Sequence, residues 1–317
     1  MVMKVSAIVT THNRSKLALK AIESILNQTY KSIEIVVVDD ASKEEHVREL
    51  EMHAERMNYK YIYIDQMHTR GGNYARNVGI KESKGEYIAF LDDDDEWFTT
   101  KIEKQVQYLD LNKEIDFVAC GKVYEVDFGK EIFEDDVEAL PTGNMQDYII
   151  YNIPYTTSSI MLRRSIIETV GFFDEHLKYW QEYELEMRLA NVTAFGVIRE
   201  NLVLYRIVKN DYQRLTNKLD GWDESVAYIN DKHKDIIKEK SWKIQRQRKY
   251  LIAKDGINRA VNASVSKRKY LFMLWKVKPS PFNFIKIIFN VARLREIRFI
   301  DVILNMKGSN KESFRRK

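Results

Sequence analysis

Cysteine is almost missing from this 317-residue chain: Cys120 stands alone, so no internal disulfide can form and no oxidising compartment is needed. A lone thiol of this kind reads as a small buried apolar residue. Proline is nearly as scarce, with four residues, and no Pro- or Gly-rich stretch marks a linker. No internal repeat is visible. No uncharged run of about 18 apolar residues occurs, so nothing reads as a membrane span. The opening Met1-Val-Met-Lys-Val5 enters a strand-like segment without the regions of a signal peptide, and the cytoplasm is the expected compartment. What is present excludes a disordered chain: 44% hydrophobic and 12% aromatic residues can fill a sizeable core.

The net charge of +4 conceals an asymmetry. Of 51 basic and 47 acidic residues, 24 basic but only 6 acidic ones lie in 232–317, leaving 27 basic and 41 acidic in 1–231. Such a contrast separates two tasks. The acidic part suggests cation-assisted chemistry, and the basic, aromatic part suggests an anionic surface, lipid rather than nucleic acid.

The first hundred residues alternate strand and helix. Val5–Val9 and Ile33–Val38 are short β-branched runs; Lys16–Gln28 places Leu17, Ala21, Ile22 and Ile25 at helical spacing, with Asn13 or Ser15 as its cap. A helical stretch around Val47–Ala54, a strand at Tyr61–Ile64, a helix opened by Gly71-Gly72 and a strand at Glu86–Leu91 follow. This repetition predicts a mostly parallel sheet covered by helices on both faces, of the α/β class. Ligands gather at the carboxyl ends of such strands. Three strands end in polar clusters, Thr10–Asn13, Asp39–Asp40 and Asp92–Asp95, which should meet along one edge. Beyond about residue 115 the pattern predicts strands at Asp116–Val126, Thr156–Leu162, Phe195–Ile198 and Leu202–Ile207. Helices are predicted at Arg164–Val170 and Gln181–Ala190, and from Gly221 onward the chain reads as basic helices.

Four adjacent carboxylates at a strand end repel one another. Two charges about 4 Å apart interact by about 4 kcal/mol at an effective dielectric near 20. A divalent cation relieves that penalty, and all-oxygen ligands favour Mg²⁺ or Mn²⁺. Asp92 and Asp94 could act together if the strand end bends; the bland alternative is a solvated acidic loop capping the helix after Trp97. Arg76 and Asn77 could place a cation and an amide near a pyrophosphate, or serve only packing and capping. Gly71-Gly72 lacks the Gly-Lys-Ser/Thr ending of a Walker loop. His12 is a ligand candidate that reads equally as a polar loop residue.

Seven segments occur in register: Ala7-Ile-Val-Thr-Thr-His-Asn-Arg14, Ser24-Ile-Leu-Asn-Gln-Thr-Tyr30, Glu34-Ile-Val-Val-Val-Asp-Asp-Ala-Ser42, Ala75-Arg-Asn-Val-Gly-Ile80, Gly85-Glu-Tyr-Ile-Ala-Phe-Leu-Asp-Asp-Asp-Asp95, Ile167-Glu-Thr-Val-Gly-Phe-Phe-Asp-Glu175 and Gln181-Glu-Tyr-Glu-Leu-Glu-Met-Arg-Leu-Ala190. Together they resemble the family 2 glycosyltransferases of bacterial polysaccharide type, over roughly residues 4–207. That resemblance implies the glycosyltransferase-A fold: a Rossmann-like, mostly parallel sheet flanked by helices, here followed by a helical C-terminal region. It implies a catalytic domain over 1–220 (donor half 1–115, acceptor half 116–220) and a basic helical region over 221–317. By the same likeness Thr10 and Asp40 contact uridine, with Asn13 and Arg14 in the same loop, and Arg76 sits near the nucleotide. Asp92 and Asp94 match the Asp-x-Asp motif for ribose, metal and diphosphate. Asp95 is a further metal neighbour, and Asp93 the least committed of the donor-binding set.

The family's Glu-Asp pair reads Gln181-Glu182 here, which puts the catalytic base at Glu182, with Glu184 as its rival. Another departure is Tyr205-Arg206-Ile207-Val208, where many relatives carry a histidine in place of Val208. One base deprotonates the acceptor hydroxyl and a Mn²⁺ or Mg²⁺ ion neutralises the departing nucleoside diphosphate, so no second acid is needed. The expected activity is an inverting transfer of a hexose or N-acetylhexosamine from a UDP-sugar to a saccharide hydroxyl, on a lipid-linked acceptor. Its setting would be bacterial surface polysaccharide synthesis. The segment Pro281–Leu304, with Lys286, Arg293, Arg295 and Arg298 among apolar stripes, resembles a helix lying in an anionic interface. A peripheral place at the inner face of the plasma membrane follows, with packing on the catalytic domain or in a homo-oligomer as the alternative. A sugar-nucleotide nucleotidyltransferase would need a Gly-rich N-terminal loop, which Val9–Arg14 lacks. A non-catalytic binding module would need neither the Asp-x-Asp pair nor the acid at 182.

Overall fold

The computed structural model describes residues 4–65, 67–127, 129–208, 215, 218–281, 283, 284 and 287. They fall into two compact units, one built from residues up to 149 with 153–208, the other from 150–152 with the described residues beyond 210.

The first unit rests on parallel strands β1 (Val5–Thr11), β2 (Ile33–Asp40), β3 (Lys60–Ile64) and β4 (Tyr87–Asp92), ordered β3-β2-β1-β4. The apolar runs of β1, β2 and β4 are buried because both faces are covered, whereas the edge strand β3 is only partly buried. Side chains alternate between faces. Val5, Ala7 and Val9 pack with α1 (Ser15–Leu26), α2 (Glu44–Met57) and α4 (Lys101–Leu111). The opposite face meets α3 (Gly72–Glu82), whose Ala75 packs on Val36 and Val38. A Cβ on Gly79 would run into Ile8, so glycine lets α3 lie close on the sheet. Helix α1 buries Ala18, Ala21, Ile22 and Ile25, one stripe at i, i+3, i+4 and i+7. Each large apolar side chain so buried contributes about 1.5–3 kcal/mol.

Beyond β4 the sheet becomes mixed. The short β5 (Glu96–Trp97), β6 (Ile115–Val126), β7 (Glu131–Glu134), β8 (Met161–Arg163) and β9 (Ala194–Ile207) extend it to nine strands among the described residues. Strand β8 runs antiparallel to β4 and β6, whereas β6 and β9 are parallel. Helices α5 (Arg164–Val170) and α6 (Gln181–Leu189) lie between β8 and β9. Cys120 is fully buried in β6, as expected of a small apolar residue.

Three local expectations are corrected. Helix α1 has Arg14 at its N-cap with no side-chain cap bond; Ser15 Oγ donates instead to Glu49 (2.6 Å), and Asn13 adopts φ 55°. The stretch 156–162 is not one strand. Thr156 N–H donates to Ser159 Oγ (3.3 Å) and Ser159 N–H to Thr156 O (2.9 Å), which folds Thr157–Ser159 into a 3₁₀ turn before β8. The two expected strands at 195–198 and 202–207 are one strand, β9, with a bulge where Ile198 pairs with Cys120 and Asn201 with Gly121.

The second unit holds α7 (Trp222–Lys232), α8 (Lys234–Glu239), α9 (Trp242–Asn262) and α10 (Arg268–Val277). Trp222 is fully buried and meets Tyr270 edge-on at 5.6 Å. A Cβ on Gly256 would strike the Tyr270 ring, so α9 and α10 approach closely there. No helix among the described residues is long and apolar enough to cross a membrane. The amphipathic segment expected at 281–304 lies outside the described residues apart from Pro281, Asn283, Phe284 and Ile287.

Candidate active site

Strand register brings the three polar clusters together. Thr10 of β1 pairs with Val38 of β2 and Asp92 of β4, and Thr11 pairs with Asp39. Because all three strands are parallel, their carboxyl ends form one edge, as the sequence pattern requires.

The carboxylate run is neither a helix cap nor a uniformly solvated loop. Helix α4 starts later, with Thr100 at its N-cap. Asp92 ends β4, and Asp95 N–H closes a tight turn onto Asp92 O (3.1 Å). The four side chains alternate. Asp92 and Asp94 stay partly open, with side chains 32% and 25% exposed. Asp93 and Asp95 point inward. Asp93, expected to be the least committed, accepts from Thr11 Oγ1 (2.8 Å) and from Arg14 (3.3 Å). Burial, followed by the charge of Asp94, pushes its carboxyl up to about 7, although Arg14 and Thr11 oppose the rise. Asp95 accepts from Ser158 Oγ (2.6 Å) and the Arg206 backbone N–H (3.2 Å). Burial and the charges of Asp94 and Asp92 hold its carboxyl well above the usual range. Asp95, expected beside a metal, is thus engaged inside the protein as an anchor of the turn.

Two arginines flank the open carboxylates. Arg14 reaches Asp94 at 3.6 Å as well as Asp93. Arg76, on α3, donates to Asp92 Oδ1 (2.6 Å) and to Gln181 Oε1 (3.0 Å), so one guanidinium ties the carboxylate run to the start of α6. Its Nε is buried without a hydrogen-bond partner. The ends of β1 and β2 are clamped as well. Asp40 is buried and accepts from the N–H groups of Arg70 (3.1 Å) and Gly71 (2.7 Å) and from Thr69. Asn13 donates its N–H to Ser42 Oγ (2.7 Å) and accepts from Lys43 N–H (2.7 Å).

Helix α6 follows Trp180, which takes the left-handed conformation at φ 56°. Its first turns carry three glutamates in three environments. Glu182 is partly exposed. Glu184 has a fully buried side chain that accepts from both Nε (3.0 Å) and Nη2 (2.8 Å) of Arg188. Glu186 is fully buried with neither oxygen hydrogen-bonded. Burial, then the charge of Glu182, pushes the Glu186 carboxyl well above its usual range, against a smaller opposing effect of Lys122.

Sequence reasoning missed Ser158, Gln181 as an acceptor, the Arg206 N–H and Glu186. Only Gln181 left a signal, as a departure from the family pair. Ser158 sits in a polar run with no motif, and Glu186 is indistinguishable in sequence from its two neighbours on α6.

Glu186 yields a pH-dependent prediction. Unfolded, this carboxyl loses its proton in the ordinary range; folded, it keeps it to higher pH. Folding then takes up a proton over that interval, and stability falls as pH rises by about 1.4 kcal/mol per unit for one group. Glu186→Met removes both this dependence and the unpaired oxygens. Its Tm should exceed the parent's clearly at about pH 8 and by much less at about pH 5. A difference that does not change with pH in thermal melts would show that burial of the acid is not what costs stability.

Comparisons with known proteins place this geometry. The sequence model described as Glycosyl transferase family 2 matches residues 6–171, just over half the chain. A Campylobacter jejuni protein named GalNAc(5)-diNAcBac-PP-undecaprenol beta-1,3-glucosyltransferase is 30% identical over 229 residues, 71% of this chain and 72% of that protein. The chain spans only 29% and 33% of the length of glycosyltransferases from Rickettsia bellii and Rickettsia felis that it also matches. Among solved structures, S. aureus TarS 1-349 in complex with UDP superposes with a TM-score of 0.55 at 18% identity, covering 98% of this chain and 93% of that one. The mannosyltransferase PcManGT from Pyrobaculum calidifontis, solved with GDP-Man and Mn2+, gives 0.58 at 16% identity, covering 96% and 84%. Those two likenesses speak for the fold, and the sequence match speaks for the family: this chain belongs to glycosyl transferase family 2 and has the glycosyltransferase-A fold.

Proposed function

We propose that the protein moves a hexose or N-acetylhexosamine from a UDP-sugar to a hydroxyl of a lipid-linked saccharide, with inversion, using a divalent cation. The observation that carries this reading is the alternation at the end of β4. Two carboxylates, Asp92 (the strand partner of Thr10) and Asp94, stay open, while Asp93 and Asp95 brace the turn from within.

The donor set fits a Mg²⁺ or Mn²⁺ ion. No cluster of three or more acidic, histidine or cysteine ligands exists among the described residues. A hard cation of this kind takes one or two carboxylates and completes its shell with substrate phosphates and water. Asp94 and Asp92 would hold it, and when bound it would neutralise charge on the departing diphosphate. Arg14 and Arg76 add fixed positive charge on either side of the run. Thr10, Asn13, Arg14 and Asp40 would shape the nucleoside pocket.

Glu182 would accept the proton of the attacking hydroxyl. Among the three glutamates of α6 it is the one with solvent access, and the neighbouring Gln181 is tied through Arg76 to Asp92. With Glu184 and Glu186 sealed, a single base serves one displacement, which inverts the anomeric centre. The C. jejuni relative's name, with its undecaprenol-linked acceptor, supports a lipid-linked acceptor here. TarS with UDP supports a uridine donor. PcManGT, with GDP-Man and Mn2+, supports a divalent ion and makes GDP-sugars the rival donors. The catalytic domain would span 1–220, and the basic region 221–317 would meet the inner membrane surface.

A panel of UDP- and GDP-sugars, incubated with Mn²⁺ but no acceptor, tests the reading. Slow release of UDP from one UDP-sugar, abolished by a chelator, is the expected result. Pyrophosphate release from a nucleoside triphosphate and a sugar phosphate would point to a nucleotidyltransferase. Binding without turnover, with or without acceptor, would point to a non-catalytic module.

A further inference from the structure

The second unit carries a groove that the transfer chemistry does not use. It lies between α9 and α10, encloses about 540 Å³, and is lined by Trp242, Arg246, Lys249, Met273, Lys276 and Val277 with Gln245. Arg246 Nε donates to Val277 O (2.7 Å) and so fixes the two helices to each other at this end. The Arg246 guanidinium also stands 5.8 Å from the Trp242 ring centre, and Lys276 stands 4.6 Å from that of Phe272. Lys249 and Lys276 are exposed and form no ion pair among the described residues. No acidic side chain lines the groove, and α9 and α10 together hold nine basic residues against Asp255 alone.

Exposed apolar surface concentrates nearby. Trp242 is 71% exposed and Phe272 45%. Isolated exposed apolar residues are ordinary, but a tryptophan beside a cationic rim and an apolar floor is what an interfacial surface presents.

We propose that this groove receives the headgroup of an anionic phospholipid, with Arg246, Lys249 and Lys276 around the phosphate and Trp242 at the acyl boundary. It rests on the reading that the enzyme works at a membrane surface, and it places a binding site in residues 242–277, ahead of the amphipathic segment at 281–304. Charge decides between occupants. A second copy meeting it through the same face would bring the same excess of positive charge to the contact and be repelled. A free phosphate would leave Trp242, Met273 and Val277 without a partner. A bilayer containing acidic lipid satisfies both the rim and the floor.

The test is flotation of the full chain with vesicles of phosphatidylcholine, with and without phosphatidylglycerol. The parent protein should bind only vesicles containing phosphatidylglycerol. Each lost cation at such a surface weakens binding about fivefold. Lys249→Gln with Lys276→Gln should therefore reduce affinity by roughly 25-fold, and Trp242→Ala should reduce it separately. Lys16→Gln with Lys20→Gln, two exposed lysines on α1, should leave it unchanged. UDP binding and far-UV circular dichroism confirm that the variants fold. If the parent binds neither vesicle, the membrane reading fails and the groove proposal with it. If the parent binds and the groove variants bind equally well, the groove proposal alone is overturned. An equal loss in the α1 variant, or displacement from vesicles by inorganic phosphate or duplex DNA of equal charge, also overturns it.

Discussion

Replacing Glu182 with glutamine is expected to lower the rate of sugar transfer by roughly 10²–10⁴-fold, the usual worth of a positioned general base. The substitution keeps the size and removes the negative charge together with the ability to take a proton. The groups around the open carboxylates stay as they are: Arg76 still spans Asp92 and Gln181, and Asp93 and Asp95 still hold the turn. UDP affinity in the presence of Mn²⁺ should therefore stay within a few-fold of the parent, so that the loss falls in kcat. Glu182 also contributes to the raised Glu186 carboxyl, so neutralising it should lower the Glu186 value and add slightly to stability. Steady-state kinetics with the donor that the nucleotide-sugar panel selects, alongside calorimetric UDP binding, would check both parts. Full activity would move the base elsewhere. Loss of UDP binding together with transfer would make Glu182 a structural residue.

The sequence made the sheet legible because its strands are buried on both faces. Runs such as Val5–Val9 and Ile33–Val38 leave no other reading, and the polar residues after them must then converge. The family resemblance added residue roles that periodicity does not contain. Illegible were the features that depend on which way a carboxylate turns. Asp92–Asp95 is four identical letters, and only the turn closed by the Asp95 N–H separates open from braced positions. The partners that brace it come from far along the chain, Ser158 and Arg206, so no local pattern reports them. Within the strand-like stretch 156–162, Thr157–Ser159 form a 3₁₀ turn that sets Ser158 Oγ against Asp95, and only Met161 and Leu162 join a strand. The basic C-terminal part was legible as charge alone; its groove depends on the close approach of α9 to α10 at Gly256 and on Arg246 bonding across to Val277.

Arg188→Met is expected to destabilise the fold by about 3–5 kcal/mol, because it removes one member of a buried ion pair. The Glu184 side chain is fully buried and Arg188 is 16% exposed, so solvent cannot replace the lost cation. Arg188 also donates to the carbonyl oxygens of Val170 (2.7 Å), Gly171 (2.6 Å) and Phe172 (2.7 Å), which close the end of α5. Adding Glu184→Met to Arg188→Met should recover part of the loss, since the stranded charge then disappears while the three carbonyls stay unpaired. Denaturant melts of both variants measure that difference; a double variant no more stable than the single one would mean the carbonyl bonds dominate. Glu184→Gln separates structure from catalysis. The amide still accepts from Arg188 and lies out of reach of any substrate hydroxyl, so transfer should persist at a stability cost of about 1 kcal/mol. Were Glu184→Gln instead inactive with an unchanged melting curve, Glu184 would be the base, and the glutamate at 182 would be the surface charge it resembles in sequence.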